Sequence, residues 1–323
     1  MSVYTVVTIQ DLEPFTIDRN LGQPRQLEAI AQGIINSNYR LTTSRGTVIL
    51  TLVENPEEAQ ALPHIMALLD QLGQVGLPVP RPIKDANDQV VFTLHGRPAV
   101  MVTQLPGVSP NIPSAAQCHQ LGSWLGTLHI RGMTVPMQRP DRLSPEAWAT
   151  MLDRLYASHN ATHEQTIAWL KREWAWLNSH WFPLDLPQGV CHGDLFPDNT
   201  LFSGDQLTGI IDFYSACHAP WLYDLAISLC AWCLDDAGHP HPERIHAMMS
   251  GYNQVRPLTL AERNHLQAAC RTAAFRFSLS RFHDHCFPRE GATVTRRNPE
   301  SFMARLRFLQ SNPLPGVPMH QSQ

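Results

Sequence analysis

The chain has 323 residues, 43% hydrophobic and only 16% charged, which excludes a disordered acidic or basic polymer. Lys plus Arg number 24 against 28 Asp plus Glu, a net charge of −4, so the basic excess of a general nucleic-acid binder is missing. This length suits one large domain or two lobes with a substantial core.

The first hundred residues read as mostly strands. Leu27 to Ile35 precedes Tyr39 to Thr43, and Ser44-Arg45-Gly46 turns the chain into Thr47 to Val53. Glu57 to Gly73 carries Leu62, Ile65, Met66, Leu69 and Leu72 at helical spacing, the stripe of an amphipathic helix. Gly76 to Pro82 is extended, because each proline disfavours helix in the residue before it. Val90 to Leu94 and Pro98 to Leu105 read as a hairpin turning at His95-Gly96-Arg97. The expected order is strand, strand, helix, strand, strand.

After Leu105-Pro106-Gly107 the pattern becomes helical. Pro113 to Arg131 places Leu121, Trp124, Leu125 and Leu128 on one side. Ser144-Pro145-Glu146 is a helix start, a cap followed by proline at the first helical position. Thr162 to Trp181 opens on Thr162-His163-Glu164-Gln165, the spacing of a capping box. Thr259-Leu260-Ala261-Glu262 repeats that spacing ahead of a long helix to about Arg281. Between the helices, Asn199 to Phe202 and Leu207 to Phe213 flank Ser203-Gly204-Asp205, a small hairpin. The fold class is α+β, with a strand-rich part over 1–103 and a helical part over 104–310. The tail 311–323, rich in proline and glutamine, reads as disordered.

The seven cysteines, Cys118, Cys191, Cys217, Cys230, Cys233, Cys270 and Cys286, are scattered and odd in number. No signal peptide opens the chain and no apolar run is long enough to span a bilayer. The expectation is a cytoplasmic protein with reduced thiols and neither nucleic acid nor membrane as partner. Cys230-Ala231-Trp232-Cys233 invites a redox or zinc reading, but it has no second cysteine pair, so core cysteines are expected. His129 reads as a packed histidine at a helix end.

The small hairpin presents His192-Gly193-Asp194-Leu195-Phe196-Pro197-Asp198-Asn199 and then Ile210-Ile211-Asp212-Phe213. Two carboxylates and an amide are what a phosphoryl-transfer site needs. One carboxylate orients an attacking hydroxyl and accepts its proton, while an amide and a second carboxylate hold Mg²⁺ on nucleotide phosphates. Placed on adjacent strands, Asn199 and Asp212 could converge. A phosphate loop of the Gly-x-x-x-x-Gly-Lys-Ser/Thr kind is missing.

His-x-Asp-x-x-x-x-Asn followed by Ile-Asp-Phe resembles the catalytic loop and metal motif of the aminoglycoside phosphotransferase and choline kinase families. The resemblance implies a bilobal protein-kinase-like fold with a strand-rich nucleotide lobe and a helical catalytic lobe. It puts the base on Asp194 and the Mg²⁺ ligands on Asn199 and Asp212, with His192 organising the loop and Asp224 as its buried brace. In these families the segment Gly33-Ile34-Ile35-Asn36-Ser37-Asn38 covers the nucleotide phosphates, and small polar residues there offer N–H and side-chain donors. Related kinases carry a lysine on the third strand; here Thr51 takes that place. Arg97 could replace its charge or simply be exposed, and the roles of Glu57 and Glu58, the lysine's usual partners, stay open. Val102 to Gly107 has the character of the hinge where adenine pairs with backbone, with Met101, Thr103 and Gln104 beside it.

Several further segments are similar to homoserine kinases of the choline-kinase-like type. They include Gly76 to Pro82, Val190 to Phe202, Ile211 to Cys217, Leu222 to Ala226, Gly251 to Leu258 and Ala274 to Arg281. Threonine is common at the Thr51 position in that family, so its presence there is a family trait. The resemblance implies ATP and a small amino-acid substrate, with Asp194 facing the hydroxyl and Tyr214 lining the pocket. Either Arg276 or Arg281 is expected to fork onto the substrate carboxylate. The alternatives are a kinase of another amino alcohol or an aminoglycoside, or a nucleotide-binding pseudokinase. ATP against GTP and the oligomeric state stay open.

Overall fold

The computed structural model describes residues 5–30, 36–136, 139, 144–158, 161–181, 185–288 and 297–315. The chain divides into two compact units. One runs through Gly107 and takes in Thr208–Tyr214; the other holds Val108–Leu207 and most of the chain from Ser215 onward.

The first unit begins with a helix that the strand reading missed, Ile9–Asp18 (α1). Asp11 starts it by accepting the Thr8 backbone N–H at 2.8 Å. Five antiparallel strands follow: Pro24–Ala29 (β1), Ser37–Thr43 (β2), Gly46–Leu52 (β3), Phe92–Leu94 (β4) and Arg97–Thr103 (β5), in the order β1-β2-β3-β5-β4. Three strands precede the helix Pro56–Gln74 (α2), matching the three runs read between Leu27 and Val53; the expected order counted one too few. The first of them stops at Ala29, short of the expected Ile35. Alternation in β2 sends Tyr39 and Leu41 into a core with Val48, Leu50, Leu52, Leu94, Ala99 and Met101. The β4–β5 turn is the expected one: His95 and Gly96 both have positive φ, 49° and 73°, the two-residue hairpin geometry. The proline-rich stretch runs extended beside β5, with Ile83 N–H on the Met101 carbonyl and Thr103 N–H on the Arg81 carbonyl, both at 2.9 Å.

The second unit is helical. Its elements are Ala115–Arg131 (α3), Pro145–Ala157 (α4), Glu164–His180 (α5), Trp221–Cys233 (α6), Pro242–Val255 (α7), Leu260–Cys286 (α8) and Glu300–Ser311 (α9). The expected start of α4 is found, with Ser144 as cap and proline at the first position. The Thr259–Glu262 box closes both ways and α8 runs on past Arg281. The Thr162 box does not form at the helix start: Ala161–His163 is a short 3₁₀ turn and α5 is capped by His163. Helix α6 is buried on nearly every side, so both Cys230 and Cys233 are core residues. Helices α3 and α7 meet backbone to backbone. A Cβ on Gly122 would overlap the Met248 carbonyl, and one on Gly251 would overlap the His119 carbonyl. The chain from Ser311 is not wholly loose: Ser311 ends α9, and Leu314 is buried with its N–H on Gln267 at 3.0 Å. Residues 316–323 lie outside the described set.

Four short strands interrupt the helices. Gln188–Cys191 (β6) pairs with Cys217–Pro220 (β9), a pairing the sequence did not reveal. Thr200–Ser203 (β7) and Gln206–Ile210 (β8) form the expected hairpin. It is shorter than expected, because Phe213 sits in a 3₁₀ turn, Phe213–Ser215.

Candidate active site

The strand β6 delivers the chain into His192–Phe196, and the 3₁₀ turn Pro197–Asn199 leads out into β7. The connecting loop is fixed through its main chain. One oxygen of Asp224 on α6 accepts the His192 N–H at 2.7 Å, and the other accepts the Gly193 N–H at 2.9 Å. Gly193 has a φ of 75°, and a Cβ there would stand 2.6 Å from the Ser215 carbonyl, so glycine is required. Its carbonyl accepts from the Arg276 guanidinium. Trp232 donates to the Leu195 carbonyl at 3.0 Å.

Asp194 is half-buried, and its backbone N–H lies 3.3 Å from His192 Nδ1. Its carbonyl accepts from Asn199 Nδ2 at 2.8 Å. That bond fixes the amide orientation and leaves Asn199 Oδ1 as the end open to a cation. Asn199 closes the turn before β7 rather than lying on a strand.

Asp224 is itself held from behind. His129, at the end of α3, is fully buried, with Nδ1 2.7 Å from the Tyr252 hydroxyl and Nε2 3.5 Å from Asp224. Arg256 in turn donates to the Tyr252 hydroxyl at 2.9 Å. This chain fits a neutral imidazole with its proton on Nε2. Burial lowers the His129 pKa against the opposing pull of Asp224. Burial alone would raise Asp224, but the His129 hydrogen bond and the loop N–H groups bring it below the ordinary carboxylate value. The Cys191 thiol lies with His129 and Asp224 in the same buried group.

The two arginines of α8 differ. Arg276 is buried and engaged with Gly193, so its guanidinium serves the loop. Arg281 bonds Ser301 Oγ at 3.1 Å and packs over the Phe302 ring at 4.5 Å. Burial, then the charges of Arg297 and Arg305, lower its pKa to about 10, while Asp194 and Asp236 oppose the shift.

In the other unit, Gly33 lies outside the described residues, as does the Glu57 side chain. Asn36 joins strand to helix: its Nδ2 donates to Glu58 Oε2 at 3.0 Å and its Oδ1 accepts the Glu54 N–H at 3.1 Å. Glu58, on α2, is thus bonded to an amide. Thr51, at the lysine position of β3, donates to Asn38 Oδ1 at 2.7 Å across the β2–β3 pair. Ser37 is fully buried with its hydroxyl on Glu54, which removes it from the donors open to a ligand. Arg97 pairs with the same Glu54 at 3.2 Å, so that charge does not replace the lysine. Met101 faces the core, and Thr103 Oγ1 accepts the Arg81 N–H at 2.9 Å, whereas Gln104 is exposed.

Asp212 belongs to this unit too. It follows β8 rather than lying on it, is exposed, and has a φ of 64°, a left-handed conformation uncommon outside glycine. Tyr214 lies close enough to Asp212 and Glu58 for both charges to act on it. Burial raises its pKa well beyond the ordinary phenol value and the two carboxylates push the same way, so the hydroxyl keeps its proton.

Sequence reasoning missed the Arg276–Gly193 bond and the His129–Tyr252–Arg256 chain. The only signal for the first was a cationic residue inside an apolar stretch of α8, Ala273 to Leu279.

Comparison with known proteins bears on the family and the fold. The model of the phosphotransferase enzyme family matches residues 26–258. A homoserine kinase of Methylocella silvestris is 40% identical over 311 residues, covering 96% of this chain and 97% of its own. One from Methylobacterium radiotolerans is 41% identical over 308 residues, covering 95% and 96%. Among solved structures, the amicoumacin kinase hAmiN in complex with AMP-PNP and Ca²⁺ superposes with a TM-score of 0.68 at 17% identity, covering 96% of each chain. At that identity the likeness speaks for the fold alone, a kinase-like one.

Proposed function

This chain belongs to the phosphotransferase enzyme family, and on that premise we propose that it is a homoserine kinase, moving the γ-phosphoryl group of ATP to the homoserine hydroxyl. The observation that carries this reading is identity of about 40% to homoserine kinases along nearly the whole chain.

The roles follow from the chemistry. Asp194 orients the acceptor hydroxyl and takes its proton as the new O–P bond forms. Asp224 and Arg276 act through Gly193, fixing the main chain from which Asp194 projects. Pre-set geometry of this kind removes reorganisation from the barrier. Asn199 Oδ1 and the Asp212 carboxylate are hard oxygen donors of the type Mg²⁺ takes, and their chemistry fits that ion. When bound, Mg²⁺ supplies positive charge over the phosphate oxygens. Asn36, Asn38 and Thr51 are assigned to the nucleotide side as neutral groups, with Thr103 and Gln104 at the hinge. Tyr214, kept protonated, is a hydrogen-bond donor for the substrate pocket.

ADP release measured across homoserine, choline, ethanolamine and an aminoglycoside tests the reading. Homoserine should be the preferred acceptor. Turnover of choline but not of homoserine would overturn the substrate assignment, and binding of nucleotide with no turnover of any alcohol would favour a pseudokinase.

A further inference from the structure

Three arginines of the helical unit, Arg281, Arg297 and Arg305, lie near enough for their charges to act on one another. Arg297 pairs with Asp198, and Arg305 pairs with Asp236 at 3.2 Å while also donating to the Leu234 carbonyl. Arg281 is different. Among the described residues no carboxylate forms an ion pair with it. Its hydrogen-bond partner among those residues is neutral, Ser301. Three ring faces also stand against it: Phe302 at 4.5 Å, Phe196 at 5.6 Å and Phe277 at 5.7 Å. Phe196 belongs to the catalytic loop itself, two residues after Asp194. Aromatic faces attract a guanidinium and take no part in its in-plane N–H hydrogen bonds, so they hold the cation without satisfying it.

A half-buried cation that no described carboxylate pairs with directly is costly, and a ligand carboxylate would relieve that cost. We propose that Arg281, and not Arg276, receives the carboxylate of the acceptor and so sets the preference for an amino acid over a simple amino alcohol. The proposal rests on the homoserine kinase reading and deepens it. In homoserine, three carbons separate the hydroxyl from the carboxylate, so one end reaches the base while the other meets a cation nearby. The influence of Asp194 on the acidity of Arg281 places the two within electrostatic reach of each other. Arg276 is excluded because it is buried and bound to Gly193, where it acts as a positioning residue. A guanidinium also meets a carboxylate with two parallel hydrogen bonds, which an ammonium cannot do.

The test compares homoserine with 3-aminopropan-1-ol, the same molecule without its carboxylate. In the unmodified enzyme homoserine should lead in kcat/KM by on the order of 10²-fold, the usual weight of a charged hydrogen-bonded pair. Arg281→Ala should remove that lead, raising the homoserine KM while the 3-aminopropan-1-ol parameters and the ATP KM stay put. Arg281→Gln, which keeps the shape and some donors, should fall between. Arg276→Ala should lower kcat for both acceptors alike. If Arg281→Ala and Arg281→Gln keep the homoserine preference, or lose both acceptors equally, the proposal is overturned and the kinase reading stands. If the unmodified enzyme does not turn over homoserine, the substrate reading fails and the proposal with it.

Discussion

The segment His192–Asn199 is tied down through its main chain by buried charges from distant helices, whereas Asn36–Asn38 is tied through its own amide and hydroxyl side chains to Thr51, Glu54 and Glu58. Asp224 and Arg276 grip the first through its backbone N–H and carbonyl groups. Thr51, Glu54 and Glu58 hold the second mostly through side chains. Backbone anchoring leaves Asn199 Oδ1 and the Asp194 carboxylate, which meets Asn199 Nδ2 at 3.4 Å, open to a ligand. Side-chain anchoring occupies the very groups that would meet a ligand. On the proposed reading, the loop assigned to position a reacting atom is held by its main chain, and the segment assigned to the phosphates by its side chains.

The comparison breaks most sharply at Asp194. Asp194→Asn keeps the loop bonds but cannot take a proton, so kcat should fall by about 10²–10⁴-fold with nucleotide affinity unchanged. Asp212→Asn should instead raise the KM for Mg²⁺-ATP, on the order of tenfold, and recover in part at high Mg²⁺. Recovery of the Asp194 variant but not of the Asp212 variant would reverse the two roles.

Removing the brace tests the loop support. Asp224→Ala strips two backbone N–H groups and His129 of a buried partner, and should cost about 3 kcal/mol in urea unfolding. Thr51→Val, in the segment anchored by side chains, deletes one side-chain bond and should cost only about 1 kcal/mol, with a few-fold rise in the ATP KM. Equal losses in the two variants would erase the distinction drawn here.

The smallest effect concerns pH. Burial holds His129 below its ordinary value of 6.5, so on acidification the unfolded chain binds that proton first. Stability therefore falls as pH drops below about 6.5 and continues to fall until the folded pKa is reached. Asp224, Cys191, Tyr252, Arg256 and Glu262 surround this group and stay in place when His129→Gln removes the titration. The variant's unfolding free energy should change less with pH over that window; parallel curves would show that other groups carry the dependence.

The His-x-Asp-x-x-x-x-Asn pattern was legible because its spacing is local: His192, Asp194 and Asn199 lie within one loop and its turn. The α+β division was legible from periodicity. What long-range bonds decide was not. Arg276 meets Gly193 from 83 positions away, and the apolar stretch around Arg276 marks a buried cation without naming its partner. Helix α1 was hidden by Pro14 inside a short, weakly patterned segment. The Thr162 box failed because Ala161–His163 closes as a separate turn, which moves the helix start one residue beyond it.

The glycine seam between α3 and α7 sets a mechanical tolerance. His129 ends α3 and Tyr252 lies on α7, one residue beyond Gly251, so the helix separation fixes how far apart those two rings stand. A methyl at Gly122 would wedge the helices apart, and the displacement would travel along hydrogen bonds to Asp224 and the loop above it. A substitution outside the loop and the chain that braces it could thus act as a detuning screw, lowering turnover without altering any group that meets a reactant.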